Sequence, residues 1–160
     1  MLTRGERKVL LSLLTNARKS FSQIAKETHM TRQTVSSIIG RLEKNGALRS
    51  YVIRVDKEKV GIGVRAYVLV TKSYASEDHH EEFDRMIQAI PEVSQVHHVF
   101  GRYDLLVEML APNLDALKKI LRNLERNQFV ARTETLVVSE SIKDNRFDPI
   151  KLVLEDGLEK

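Results

Sequence analysis

Between Phe21 and Gly46 the sequence sets out a short amphipathic helix, a three-residue turn and a longer capped helix, and few folds accommodate that spacing. The short helix reads from about Ser22 to Glu27, with Ile24 and Ala25 facing inward and Phe21 as an anchor ahead of it. Thr28-His29-Met30 make the turn. Thr31 suits an N-cap because its hydroxyl can accept a hydrogen bond from a free amide of the following turn. The helix it opens runs to about Asn45, where Gly46 suits a left-handed cap. Upstream, Thr3-Arg4-Gly5-Glu6 reads as a capping box. It starts a first helix whose stripe is Val9, Leu10, Leu13 and Leu14, fraying near Asn16. Arg18, Lys19 and Ser20 make a polar connection. Downstream, Ala47 to Val55 alternates and is rich in β-formers, which predicts a strand and a small wing.

The third helix separates its faces. Val35, Ile38, Ile39 and Leu42 recur at i, i+3, i+4, i+7 and form the inward stripe. Arg32, Gln33, Ser36, Ser37 and Gly40 lie opposite, on a small polar face that lacks acid. Gln and Arg are the side chains that pair with adenine and guanine edges in a major groove. Gly40 costs about 1 kcal/mol against Ala in a helix interior; either close approach of a DNA backbone or tight packing on a neighbouring helix accounts for it. With Ser22, Gln23, Thr31, Thr34, Arg41, Lys44 and Arg49, this face makes up the candidate DNA contacts. Arg18, Lys19, Arg41, Lys44, Arg49 and Arg54 are candidates for phosphate. Charge supports the reading: residues 1–55 hold 11 Lys and Arg against three Glu, a net of +8, whereas the rest of the chain carries −4.

Beyond Asp56 the pattern changes. Strands are expected over Val64–Lys72, Ser94–Phe100, Asp104–Leu110 and Thr133–Ile142, and helices from Glu77 to Ile90 and after Pro112-Asn113. Phe83, Met86, Ile87 and Ile90 share one helix face; Leu114, Leu117, Ile120, Leu121 and Leu124 share the other. The order β-α-β-β-α-β describes a ferredoxin-like sheet with both helices on one side, so one sheet face stays uncovered. The expected fold class is thus α+β. It comprises a winged helix-turn-helix domain (1–55), a linker (56–62), a βαββαβ domain (63–143) and an unassigned C-terminal extension (144–160). From Pro149 the extension is amphipathic and would suit a subunit contact.

Three stretches carry a specific resemblance: FSQIAKETHMTRQTVSSIIGRLEKNGAL (Phe21–Leu48) with the linker RVDKEKVG, FGRYDLLVEM (Phe100–Met109), and TETLVVSESIK (Thr133–Lys143). Together they resemble the Lrp/AsnC family of transcription regulators over about residues 2 to 143. That resemblance implies double-stranded DNA as a partner and homodimers through the C-terminal sheets, often assembled into tetramers or octamers. It also implies amino-acid effectors bound near the Gly-x-Tyr-Asp turn. Gly101, Arg102, Tyr103 and Asp104 would border the effector, with Thr133 and Thr135 on the neighbouring strand. Simple hairpin geometry explains Gly101 and Asp104 equally well. Where many relatives carry Arg and a basic residue, this chain has Ile38 and Gly40. Arg102 is a further departure, and it favours an acidic effector or is merely exposed.

Other chemistry finds little support. Cysteine is absent, which excludes disulfides and thiolate sites. His79-His80 and His97-His98 are the only metal or acid-base temptation, and neighbours on a strand point to opposite faces. Sirohaem decarboxylases resemble the same two-part architecture, but an enzyme has no use for an N-terminal third carrying +8. No catalytic residue, metal site or bound cofactor is expected. With no apolar run of roughly 18 residues and no signal-peptide core, the chain reads as cytoplasmic and not membrane-bound.

Overall fold

The computed structural model describes residues 1–73 and 80–159. Three helices open the chain: α1 (Arg4–Thr15), α2 (Phe21–Thr28) and α3 (Arg32–Lys44). The Thr3–Glu6 capping box forms on α1: the Glu6 amide donates to Thr3 Oγ1, and the Thr3 amide donates to Glu6 Oε2 at 2.8 Å. A second box, unforeseen in the sequence, starts α2 at Ser20, where the Ser20 amide donates to Gln23 Oε1 and the Gln23 amide to Ser20 Oγ. It moves the helix start to Phe21, which stays partly exposed instead of acting as a buried anchor. Thr31 caps α3 as expected. Val9, Leu13, Ile24, Ala25, Val35, Ile38, Ile39 and Leu42 make the three-helix core.

The wing strand expected over Ala47–Val55 is not formed; the segment carries no strand pairing. β-Propensity describes how well a residue fits a pleated, paired surface, and among the described residues no strand pairs with this segment. Tyr51, Val52, Ile53 and Val55 are consequently exposed.

After a 3-10 turn (Glu58–Val60) come β1 (Val64–Lys72), α4 (His80–Gln88), β2 (Val93–His98), β3 (Leu105–Ala111), α5 (Leu114–Glu125) and β4 (Val130–Val137). The part of the expected α4 before His80 lies outside the described residues. The sheet is antiparallel in the order β2-β3-β1-β4, as the split βαβ pattern requires. Ala66, Val68 and Val70 alternate with Leu105, Val107, Met109 and Ala111 on the helix side and pack on Phe83, Ile87, Leu117, Leu124 and Phe129. The last strand is displaced toward the N-terminus relative to expectation. Val137 already pairs with Ala66 and the Val138 amide reaches Arg65 O, so β1 has almost no length left to pair residues 139–142.

The tail forms α6 (Asp148–Glu159), which packs on α1. The chain divides into two compact units: residues 1–53 with the stretch from Lys143 onward, and residues 54–142. The extension that sequence left unassigned thus returns to the first unit.

Candidate nucleic-acid interface and effector turn

α3 is amphipathic in fact as in pattern. Val35, Ile38, Ile39 and Leu42 are buried, while Thr31, Arg32, Gln33, Thr34, Ser36, Ser37, Gly40, Arg41 and Lys44 are exposed, as are Ser22 and Gln23 on α2 and Arg49 beyond. A Cβ at Gly40 meets nothing within 4 Å, which removes tight helix packing as its explanation.

The exposed polar groups are not equally available. Thr31 spends its hydroxyl on capping and shares a 2.8 Å contact with the Thr34 hydroxyl. Arg41 lies 3.4 Å from Glu6, a carboxylate buried on α1. The backbone amide and then the hydroxyl of Thr3, with Arg41 adding to them, hold Glu6 below the usual carboxylate range against the effect of burial. Lys19 donates to Glu27 at 2.7 Å and to Thr15 at 2.8 Å, and Ser12 completes that knot by donating to Glu27 at 2.6 Å. Arg41 and Lys19 therefore brace the three-helix unit. Arg32, Gln33, Ser36 and Ser37 make no hydrogen bond or ion pair with other described residues. An open groove of about 540 Å³ runs beside Ser36, Gly40, Phe21 and Tyr51. Its two charges are taken up locally, Lys19 by Glu27 and Glu43 by the Tyr51 hydroxyl at 3.1 Å.

In the second unit the turn after β2 adopts a conformation that requires glycine, with Gly101 at φ +136°. Asp104 fastens the turn to the sheet: its amide donates to Val70 O, and its Oδ2 accepts from the Lys72 amide at 2.7 Å. Tyr103 donates its hydroxyl to Glu134 Oε2, and the Arg102 guanidinium sits 5.5 Å from the centre of the Tyr103 ring. The Glu134 hydrogen bond, followed by burial, raises the Tyr103 phenol above its ordinary value, partly offset by Arg102 and Arg132.

The expected effector residues divide between the two faces of the sheet. Thr133 and Thr135 pair with Val70 and Val68 on the helix side, and Thr133 donates to Glu125 of α5 at 2.8 Å. Glu134, between them, faces the open side with Tyr103. It was not singled out from sequence, although the two-residue period of a strand sets it on the face opposite Thr133 and Thr135.

The open face also holds a buried charge. Glu108 is 3% exposed, 2.5 Å from both Arg65 and the Ser94 hydroxyl, and Arg65 donates to the Tyr67 hydroxyl at 2.9 Å. Burial pushes Glu108 up, but Ser94 and Arg65 outweigh it and hold the group below the usual range. His97 and His98 point apart, His97 toward Gln95 and His98 toward Asp84 at 2.8 Å. Among the described residues no three metal-ligating side chains converge, and no helix is long and apolar enough to cross a membrane.

Comparison with known proteins gives two family matches: winged helix-turn-helix DNA-binding over residues 6–49, and the Lrp/AsnC ligand binding domain over residues 65–147. The chain is 30% identical over 145 residues to an uncharacterized HTH-type transcriptional regulator of Pyrococcus furiosus, covering 90% of this chain and 97% of the relative. It is 26% identical to the leucine-responsive regulatory protein of Escherichia coli, covering 90% and 88%. Its fold resembles that of a transcriptional regulator of Neisseria meningitidis solved as a complex with L-Met. The TM-score is 0.86 at 21% identity, over 94% of this chain and 99% of the other.

Proposed function

The chain belongs to the Lrp/AsnC family of transcription regulators, and from that premise we propose that it reads specific DNA sites as a symmetric oligomer and responds to an amino-acid effector. It is a helix-turn-helix regulator with a ligand-binding-type sheet domain, and its relatives are regulators rather than enzymes. The observation that carries the DNA reading is the outward face of α3, where the side chains of Arg32, Gln33, Ser36 and Ser37 make no hydrogen bond or ion pair with other described residues. Paired α3 helices would enter successive major grooves, with half-sites one helical turn or a multiple apart. Ser22, Gln23, Lys44 and Arg49 would add backbone contacts. Thr31, Thr34 and Arg41 would support α3 first and touch DNA second.

The uncovered sheet face suits the pairing surface, since it sets Tyr67, Leu69, Leu106, Leu110 and Leu136 around the Arg65–Glu108 pair. Amino-acid response is supported by the L-Met complex of the Neisseria protein and by the name of the Escherichia coli relative. The DNA-reading part is taken as residues 1–55 with the tail from 144, the linker as 56–62 and the responsive part as 63–143. Such a protein works where the DNA is, in the cytoplasm.

Selection of binding sites from random duplexes, repeated with pooled amino acids, tests the whole reading. A two-fold related consensus whose affinity or spacing shifts with one amino acid is the expected result. Equal affinity for all duplexes, or a flat response to salt, would sink it.

A further inference from the structure

Resting on the amino-acid-responsive reading above, we propose that Arg102, Tyr103, Arg132 and Glu134 form a binding site for an acidic amino acid, a ligand with two carboxylates and one ammonium group. The sheet register brings these residues together. Arg132 pairs with Thr71 and Glu134 with Leu69, so both project from β4 on the open face, two residues apart. The turn arrives at the same end of β1 because the Asp104 amide is fastened to Val70 O. Tyr103 then reaches Glu134 through its hydroxyl, which fixes the carboxylate, and Arg102 lies against the Tyr103 ring. Both arginines act electrostatically on the Tyr103 phenol.

Charge distinguishes the ligand class. Two guanidiniums stand beside one carboxylate, and neither Arg102 nor Arg132 is in an ion pair with another described residue. This local excess of positive charge sits in a part of the chain whose net charge is negative, 15 Lys and Arg against 19 Asp and Glu over residues 56–160. Guanidinium binds carboxylate through paired, charge-assisted hydrogen bonds. An acidic amino acid offers one carboxylate to each arginine and its ammonium to Glu134. A neutral amino acid leaves one guanidinium unused, and a dicarboxylate lacking the ammonium meets Glu134 as a like charge. Asp104, by contrast, has one carboxylate oxygen committed to the Lys72 amide and is a positioning residue for the turn.

Titration calorimetry of the full chain with L-glutamate, L-aspartate, L-glutamine, L-methionine and L-leucine tests the proposal. Glutamate or aspartate should bind at least about tenfold more tightly than glutamine, the low end of what a charge-assisted hydrogen bond contributes. Arg132→Gln and Arg102→Gln should each lower that affinity about tenfold. Glu134→Gln should abolish the preference for glutamate over glutarate, which lacks the ammonium. Arg102 lies in an exposed turn, so its variant remains informative if substitution on β4 disturbs folding. Tighter binding of methionine or leucine, or an acid preference that survives both arginine substitutions, overturns the proposal and leaves amino-acid response standing. Binding of no amino acid overturns both.

Discussion

The Arg7 guanidinium on α1 donates to the main-chain oxygen of Val153 on α6 at 3.1 Å, joining residues 146 positions apart. The same side chain lies where a Cβ on Gly157 would stand, and Leu154 is buried against the same unit. Arg7→Ala, which also removes the Nε hydrogen bond to Leu2 O at 3.3 Å, should cost about 1–2 kcal/mol. The loss should be local: faster amide exchange and earlier proteolysis within α6, with the sheet unit unaffected. Unchanged exchange in α6 would show that Leu154 packing alone holds the helix.

Glu108 is a heavier test because its charge is buried. Glu108→Ala leaves Arg65 without its carboxylate in a half-buried position and should cost about 3 kcal/mol. The double change Arg65→Met with Glu108→Leu should recover most of that loss, since it removes both charges and fills the space. Urea melts of the four species measure the coupling. Equal losses in the single and double variants would mean that Ser94 and Tyr67 depend on the pair for their own positions.

Acid should destabilise both units. Glu6, Glu27 and Glu108 all have folded pKa values lowered below their ordinary range, by Thr3, by Lys19, and by Ser94 and Arg65 against burial. A lowered carboxylate contributes stability that is present above its unfolded pKa and is lost as pH falls through the folded value. Melting temperature should therefore hold near neutrality and fall as pH drops through and below the ordinary carboxylate range. Glu6→Gln should flatten the response of the helical unit and Glu108→Gln that of the sheet unit. Glu27 is too exposed to contribute much.

His29 closes α2 in the left-handed region at φ +56°, the one described non-glycine residue with positive φ. Its amide still caps the helix through Ala25 O. The conformation costs roughly 1 kcal/mol for a residue with a Cβ, so His29→Gly should raise stability slightly and His29→Val should lower it by more than 1 kcal/mol. Thermal melts decide; a destabilising glycine would mean that the His29 ring makes a contact worth more than the strain.

What could be read from the sequence, and what could not, follows the range of the interactions. The stripe Val35, Ile38, Ile39, Leu42 and the Thr3–Glu6 box are settled within one or two helical turns, and both form as read. The Ser20–Gln23 box is equally local, yet the sequence reading starts the helix near Ser22 with Phe21 as an anchor ahead of it, and the cap lies just upstream of both. Ala47–Val55 has strand-like residues, yet a strand needs a pairing partner, and among the described residues none pairs with it. The tail is visibly amphipathic, but its partner Arg7 lies at the other end of the chain. Glu134 was hidden between two threonines that the family resemblance favoured, and only the register with Leu69 and the reach of Tyr103 bring it into a site.

Gln33 and Arg41 separate recognition from support on α3. Gln33 is exposed and its side chain has no hydrogen-bond partner among the described residues, so Gln33→Ala should leave stability unchanged and relax selectivity at one base pair by about 1–3 kcal/mol. Arg41 is paired with buried Glu6, so Arg41→Ala should lower stability while weakening all duplexes alike. The variant Glu6→Gln with Arg41→Ala should lose less stability than the sum of the two single changes, because the pair is removed together. Affinities for the selected site and its single-base variants, measured with melts of each protein, distinguish the two roles. If Gln33→Ala weakens every duplex equally, α3 uses that position on the phosphate backbone and the base-reading role moves to Arg32, Ser36 or Ser37.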